Sequence, residues 1–306
     1  MENSRKPQLL LYLKGIAMGA ADVVPGVSGG TIALITGIYQ ELIDTIKGVD
    51  ISVLKILLKG NFKEFWSKLN GNFLITLFTG IATSVLLISS GMIYLLKNYP
   101  EQLWGFFLGL IIASAWLVGK KVTTWNIGNI TSLIIGVIAA YFICSATPAQ
   151  TSEELWFVFL AGSIAICAMI LPGISGSFIL ILFGKYEFIL GSIKELNFTV
   201  IATFGLGCIV GILSFSRLLS WLFKSYHNLT ISLLTGFMIG SLYKVWPWKN
   251  TLETYLDRHG EIKPLIQENM IPSTWNSPEI TAIALALFGL AFVIILDLVA
   301  SSKPEK

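Results

Sequence analysis

Long apolar runs separated by short polar segments extend along the whole chain. A helix needs about 20 predominantly apolar residues to cross the hydrocarbon core of a bilayer. Six runs approach this length, at residues 73–97, 103–119, 127–146, 198–223, 229–246 and 279–299. Two further apolar regions, 9–46 and 155–193, are interrupted by proline and glycine. The pattern predicts an all-α polytopic membrane protein with six crossings and two broken helical regions.

Composition and charge also indicate a lipid environment. Hydrophobic residues make up 54% of the 306 residues and charged residues only 13%, which is more apolar surface than a soluble core needs. The net charge of +3 is too small to indicate a nucleic-acid partner. The three cysteines lie in apolar runs without the spacing of metal ligands. We therefore expect the bilayer as a partner, and no nucleic acid, metal or cofactor.

A stretch of 24 residues occurs twice. Residues 24–47 align without gaps on residues 171–194, at an offset of 147, and nine positions are identical; about two identities would arise by chance. Both copies carry Pro-Gly-x-Ser-Gly near their start, and three long apolar runs follow each copy. Gene duplication explains this order. It divides the chain into a first repeat, 1–148, with a hairpin at 9–46, and a second repeat, 149–306, with a hairpin at 155–193.

Each Pro-Gly-x-Ser-Gly break interrupts the hydrogen bonding of a helix. Such backbone is tolerated at membrane depth only where protein shields it or a wet cavity meets it, so we expect a re-entrant hairpin in each half; two complete crossings are the alternative. Eight lysines and arginines between residues 5 and 68 place the first hairpin on the cytoplasmic side. Three crossings follow, so the second hairpin enters from the opposite face and the repeats are inverted. Both termini are then cytoplasmic, and the loop 247–278 is external.

The residues that follow each proline and glycine begin a helix. Unpaired amides at the positive end of a helix dipole attract an anion, and the two hairpin tips are expected to meet near the bilayer midplane. A phosphate or carboxylate group would bind between them. The alternative is that the glycines only permit a tight turn and close helix packing. The candidate substrate-binding residues of the breaks are Ser28, Gly29, Gly30, Thr31, Ser175, Gly176 and Ser177.

Few charges interrupt the apolar runs, and a charge near the membrane centre costs about 2.5 kcal/mol or more. Asp22 is the best candidate for proton coupling, and capping of the hairpin turn is its competing role. Glu41 and Glu187 are further coupling candidates, although charges at the membrane interface explain both. Arg217 either pairs with a carboxylate, grips a phosphate through its forked donors or snorkels to the cytoplasmic end of its span. Lys14 is either an anion ligand or a snorkelling residue.

Two segments resemble a known family. KGIAMGAADVVPGVSGGTIALITGIYQELI at residues 14–43 and PGISGSFILILFGKYE at residues 172–187 closely resemble the polyprenyl-phosphate transporter family called PopT, and the likeness covers nearly the whole chain. The resemblance implies a translocase of the bacterial inner membrane that returns undecaprenyl phosphate from the outer to the inner leaflet after cell-envelope polymers are assembled. It also implies head-group binding by the break residues, with Asp22, Glu41, Glu187 and Arg217 as charged partners.

The residues alone indicate an anion-binding transporter with inverted repeats, and other functions compete with lipid transport. A transporter of small anions would use the same breaks with a sealed aqueous route, whereas a lipid carrier needs a lateral opening. An enzyme such as a lipid phosphatase is not expected, because His227 and His259 lie in loops without catalytic company. A scaffold would not need duplicated polar breaks. A proton, sodium or lipid gradient would drive transport, and the sequence is compatible with a homo-oligomer.

Overall fold

The computed structural model describes residues 5–24, 27–149, 151–256 and 262–301. Pro25 and Gly26 of the first break, and His259, lie outside the described residues. The chain is mostly helical. Its first nine helices are α1 (Arg5–Asp22), α2 (Gly29–Ile35), α3 (Tyr39–Lys47), α4 (Ile51–Leu58), α5 (Phe62–Lys68), α6 (Gly71–Leu87), α7 (Ser89–Asn98), α8 (Pro100–Gly119) and α9 (Ile127–Ser145).

The second part of the chain begins with the same three-helix order but, in its described residues, has no counterpart of α4 and α5. Its elements are α10 (Leu155–Ile170), α11 (Gly176–Leu182), α12 (Tyr186–Lys194), α13 (Phe198–Ser225), α14 (His227–Val245), β1 (Lys249–Leu256), β2 (Ile262–Asn269) and α15 (Ser277–Ser301). Polar side chains fix several helix starts by accepting a backbone N–H of the first turn. Asp50 accepts from Val53 at the start of α4, and Asn126 accepts from Asn129 at the start of α9.

The long apolar helices make the chain a multi-pass membrane protein. Within the described residues, four helices are long and apolar enough to cross a bilayer, and counting two bent helix pairs as spans raises the number to six. The predicted crossing 73–97 is divided at Ile88 into α6 and α7. The predicted crossing 229–246 corresponds to α14, whose serines, threonines and glycines make it more polar than the four long apolar helices. The four are Pro100–Gly119, Ile127–Ser145, Phe198–Ser225 and Ser277–Ile295.

The second arm of each hairpin differs from its prediction as one continuous helix. The chain turns at Gly37, which has a φ of 75° and separates the seven residues of α2 from the nine of α3. Gly184, at the 147-residue offset, has a φ of 62° and separates α11 from α12, which are of the same two lengths. Glycine adopts this left-handed conformation without a steric penalty. The duplicated sequence therefore produces duplicated local structure, including a turn that the apolar pattern hides.

The mostly helical structure agrees with the predicted all-α class, and a small sheet is an addition that the prediction lacked. Strands β1 and β2 pair antiparallel within the loop 247–278. Their sequences, KNTLETYL and IKPLIQEN, mix polar and apolar residues and stand apart from the long apolar runs on which the prediction rested. Helices α4 and α5, between the first hairpin and α6, are a second unpredicted feature. Helices α4 and α5 lie in a segment whose charges were interpreted only as orientation signals.

The long helices pack in pairs that correspond between the two halves. Helix α1 packs along α6 and α10 along α13, each within one half. Helix α8 packs along α15 and α9 along α14, each between halves. Glycines allow these close approaches: a Cβ added at Gly109 would lie 1.8 Å from the carbonyl oxygen of Ala286, and one added at Gly236 would lie 2.2 Å from that of Leu133. Such corresponding helix pairs are expected of two related halves. The inversion of the repeats and the boundary between residues 148 and 149 stay predictions.

Gly109→Ala tests the closest of these approaches. The added methyl group meets rigid backbone of α15, so α8 and α15 must separate, and overpacking of this kind destabilises by about 1–3 kcal/mol. We expect a lower melting temperature in thermal unfolding of the detergent-solubilised protein. The matched control is Gly205→Ala in α13, where an added Cβ meets nothing within 4 Å. Equal melting temperatures for the two variants would contradict the packing described for α8 and α15.

Candidate functional site

The two breaks contact each other inside the helical body. The hydroxyl group of Ser28 donates to the carbonyl oxygens of Met169 and Leu171, each at 3.2 Å. Ser28 is only 1% exposed. A helix leaves its last carbonyl groups without partners, and Ser28 supplies a donor where α10 ends. These contacts join the two breaks; the re-entrant course of the hairpins and a position near the bilayer midplane stay predictions.

Two further hydrogen bonds join the same segments. Tyr39 of α3 donates its hydroxyl proton to the carbonyl oxygen of Ile170 at 3.1 Å. The backbone N–H of Gly173 donates to the hydroxyl oxygen of Thr31 at 2.9 Å. Tyr39 and Thr31 are fully or almost fully buried. The polar groups of the first hairpin thus satisfy the backbone of the second break in a region closed to solvent.

The amides of the first break are already occupied. The N–H of Gly29 donates to the Asp22 carboxylate at 2.7 Å, and the N–H of Gly30 donates to the Ser28 hydroxyl at 3.1 Å. The N–H of Thr31 donates to the carbonyl oxygen of Ser28. The expectation of unpaired amides at this break is therefore wrong for this conformation. Asp22 performs the capping that was its competing role, and its part in coupling stays a prediction.

The second break keeps its donors. The hydroxyl groups of Ser175 and Ser177 bond to each other at 2.8 Å. Among the described residues, no hydrogen-bond partner is found for the amides of Gly176 and Ser177. The cause lies in the sequence, because Met169 occupies the position that Asp22 holds in the first half. The two copies of one motif thus differ in the hydrogen-bonding groups they leave open.

Lys14 and Glu41 lie together on a polar cavity of about 400 Å³ between α1, α3 and α6. The Lys14 ammonium donates to the carbonyl oxygen of Thr36 at 2.6 Å, in the turn between α2 and α3. Glu41 is exposed and accepts from the side-chain amide of Asn70 at 3.1 Å. This cavity is separate from the contact between the breaks. The hydrogen bond from Lys14 to Thr36 joins the two arms of the first hairpin.

The structure does not bring every predicted residue to the breaks. Arg217 is exposed and donates to the carbonyl oxygen of Val49 at 3.4 Å, just beyond the end of α3. This bond anchors α13 to the connection between α3 and α4. Glu187 lies half-buried in the first turn of α12. Arg217 therefore has a structural partner, and head-group binding by it stays a prediction.

Three lysines were missed as candidate functional residues. Lys185 is 2% exposed and donates to the carbonyl oxygen of Thr151 at 2.7 Å. Lys244, in the last turn of α14, and Lys249, at the start of β1, are partly buried near the ring of Phe178 and that of Trp104, respectively. For Lys244 and Lys249 the sequence carried a signal, because these two lysines follow an apolar run, lie beside tryptophans and have no neighbouring acidic residue.

The paired polar breaks within apolar helices define a polytopic membrane protein of the broken-helix class, which includes secondary transporters. The chain belongs to the VCA0040-like family, described as undecaprenyl phosphate translocase-like, whose model matches residues 18–263. A polyprenyl-phosphate transporter of Vibrio cholerae serotype O1 (strain ATCC 39315 / El Tor Inaba N16961) is 44% identical over 294 residues, or 95% of this chain and 96% of that protein.

A polyprenyl-phosphate transporter of Staphylococcus aureus (strain NCTC 8325 / PS 47) is 33% identical over 254 residues, or 77% of this chain and 85% of that protein. No solved structure matches this chain significantly. The family resemblance carried by the two break motifs is confirmed by the family model and by both relatives.

Proposed function

We propose that this protein carries polyprenyl phosphate, specifically undecaprenyl phosphate, from the outer to the inner leaflet of a bacterial cytoplasmic membrane. The observation that carries the proposal is the buried contact between the two breaks, in a chain whose relatives are named polyprenyl-phosphate transporters. A phosphate group crosses hydrocarbon only if fixed polar groups replace its water. The contact between the breaks supplies such groups at the depth of apolar helices.

The second break is the first candidate to hold the phosphate in this conformation. Its open donors are the amides of Gly176 and Ser177 and the paired hydroxyl groups of Ser175 and Ser177. At the first break, the same role requires the head group to displace Asp22 from Gly29 and Ser28 from Gly30. The inverted arrangement of the repeats would let the two breaks open in turn toward opposite faces.

Coupling and release complete the proposal. Asp22, the carboxylate that caps α2, would exchange a proton or respond to sodium when a phosphate displaces it. Lys14, on the polar cavity beside Glu41, would attract the phosphate on the cytoplasmic side. Most of the isoprenoid tail stays in lipid, and the transport step changes no covalent bond.

The test is movement of undecaprenyl phosphate between leaflets of proteoliposomes. We expect the Ser175→Ala/Ser177→Ala variant to reduce the protein-dependent rate at least about tenfold, because each charge-assisted hydrogen bond to a phosphate contributes about 1.5–3 kcal/mol. The readout is the fraction of lipid open to a membrane-impermeant phosphatase added outside. Gly205→Ala is the control for handling and insertion.

Two outcomes would overturn the proposal. Movement no faster than in protein-free liposomes would exclude lipid transport. Protein-dependent uptake of inorganic phosphate into the same vesicles, without movement of the lipid, would establish the small-anion transporter instead.

A further inference from the structure

We propose that Lys244 and Lys249 form a separate, outward-facing site that receives the phosphate of a polyprenyl phosphate, while the adjoining apolar cavity receives the start of its isoprenoid chain. The proposal rests on the proposed function for the identity of the lipid. It assigns the step before the head group reaches the breaks. No residue of this site belongs to the duplicated motif.

The two lysines are brought together by the turn between α14 and β1. The Lys249 ammonium donates to the backbone carbonyl oxygen of Lys244 at 2.5 Å. The Lys244 ammonium lies 4.3 Å from the ring centroid of Phe178 in α11, and the Lys249 ammonium lies 4.7 Å from that of Trp104 in α8. Both side chains are partly buried, so each keeps part of its surface open to an anion.

This pair of cations lacks a compensating acid. Neither lysine forms an ion pair with a carboxylate of the described residues. Burial and the neighbouring Lys244 ammonium lower the pKa of Lys249 to about 7. Like charges held together in a partly buried place repel each other, and an anion bound between them removes the repulsion. A phosphate monoester supplies up to two negative charges and three acceptor oxygens, which suits two ammonium groups.

An apolar cavity of about 580 Å³ is lined by Tyr243, which precedes Lys244, and by Asn269, which pairs with Lys249 in the sheet. Drug-sized ligands occupy cavities of about 300–1,000 Å³. Trp104 lies one turn before Leu108 and two turns before Ile112 on the same face of α8, so Lys249 lies at one end of the cavity. Apart from Asn269, the lining is apolar or aromatic. Lining residues on three helices are Leu108, Ile112, Val137, Tyr141, Ile239 and Tyr243.

The cavity opens sideways rather than into an enclosed channel. Ile112, Ile138 and Phe142 line it and are 41%, 49% and 66% exposed, on helices whose outer faces meet hydrocarbon. A small hydrated anion gains nothing from such walls, whereas an apolar chain buries its surface there. Charge at one end and hydrocarbon at the other together match a lipid monophosphate.

A short path leads from the lysines to the second break. Ser241 lies three residues before Lys244 on α14, a rise of about 4.5 Å. A Cβ added at Gly173 would lie 2.6 Å from the hydroxyl oxygen of Ser241, which shows how closely α14 approaches the break. Ser241, about one helical turn before Lys244, therefore connects the end of α14 that carries the lysine to the second break.

Binding of farnesyl phosphate to the full-length protein in nanodiscs tests the site. Isothermal titration at pH 7 should show at least about tenfold weaker binding for Lys244→Met/Lys249→Met than for the unaltered protein, a loss of about 1.4 kcal/mol. Lys224→Met, which removes an exposed lysine at the end of α13, is the matched control. Ile112→Trp fills the cavity and should weaken binding of farnesyl phosphate but not that of inorganic phosphate.

The pH profile separates electrostatics from a change in folding. Lys249 loses its charge as pH rises through about 7, whereas arginine at this position stays charged. Among the described residues, the other titratable groups that act on Lys249 are Lys244 of α14 and Cys144 of α9. From pH 6 to pH 8, the affinity of the unaltered protein should fall by up to about tenfold relative to Lys249→Arg.

The outcomes distinguish this site from the proposed function. Unchanged farnesyl phosphate binding in the folded double-lysine variant would overturn the lysine site, even if undecaprenyl phosphate still moves between leaflets. Equal binding of farnesol and farnesyl phosphate would also overturn it, because no phosphate site would then exist. Lysine-dependent binding without lipid movement would support the site and overturn the transport proposal alone.

Discussion

Asp22→Asn is expected to abolish the response of undecaprenyl phosphate transport to a pH gradient while leaving the protein folded. Asparagine keeps an oxygen that can accept the N–H of Gly29, so the cap of α2 survives. It cannot bind and release a proton, so a coupling step that depends on Asp22 is lost. Leaflet-to-leaflet movement in proteoliposomes, measured with and without an imposed pH gradient, gives the result directly.

Comparison variants separate the two roles of this carboxylate. Asp22→Ala removes the acceptor as well as the charge, so we expect it to lose gradient sensitivity and also about 1 kcal/mol of stability. Glu41→Gln should retain the gradient response, because Glu41 is exposed and bonds to Asn70 away from the breaks. A full gradient response in Asp22→Asn would restrict Asp22 to capping.

The order of elements was predictable from the sequence because it is local. The Pro-Gly-x-Ser-Gly motif and its 147-residue offset predict a break followed by a helical arm in each half. The structure has both at matched positions, with each arm divided into two helices. The turn at Gly37 was missed because a single glycine in an apolar run does not alter the hydropathy pattern. The β1–β2 pair was missed because neither strand has regular apolar alternation.

The hydrogen bonds of the site were not predictable, because they join residues far apart in sequence. Tyr39 and Tyr186 occupy matched positions in the two copies of the repeat. Tyr39 is 2% exposed and bonds to Ile170, whereas Tyr186 is 36% exposed. The difference arises because the first hairpin donates into the second break. A repeat therefore predicts shared backbone structure, but each copy takes its polar contacts from its own surroundings.

Only the second break keeps free hydrogen-bond donors, and the motif alone does not explain this difference. Both copies place Ser-Gly at the start of a short helix, and the sequence predicts an anion site at each. Asp22, three residues before the motif, occupies the donor of Gly29. Its counterpart Met169 has no acceptor to offer, so Gly176 stays open. The residue that was singled out for coupling thus determines which break keeps free backbone donors.

Gly30→Ala is expected to abolish transport and to lower the free energy of unfolding by about 2–3 kcal/mol. A Cβ at this position would lie 2.4 Å from the carbonyl oxygen of Ile170, which belongs to rigid backbone at the end of α10. The breaks must then separate, and the nearby bonds made by Ser28 and Thr31 weaken together. Thermal unfolding and lipid movement, measured on one preparation, test both effects.

The matched position shows why this effect belongs to the contact between halves rather than to the motif. Position 30 corresponds to Ser177 in the second copy, where the same short helix accepts a side chain. The steric limit at Gly30 therefore comes from Ile170, across the contact, and not from the local backbone. Gly91→Ala in α7, where an added Cβ meets nothing within 4 Å, is the control. If Gly30→Ala moved lipid at the control rate, the contact between the breaks would have no part in transport.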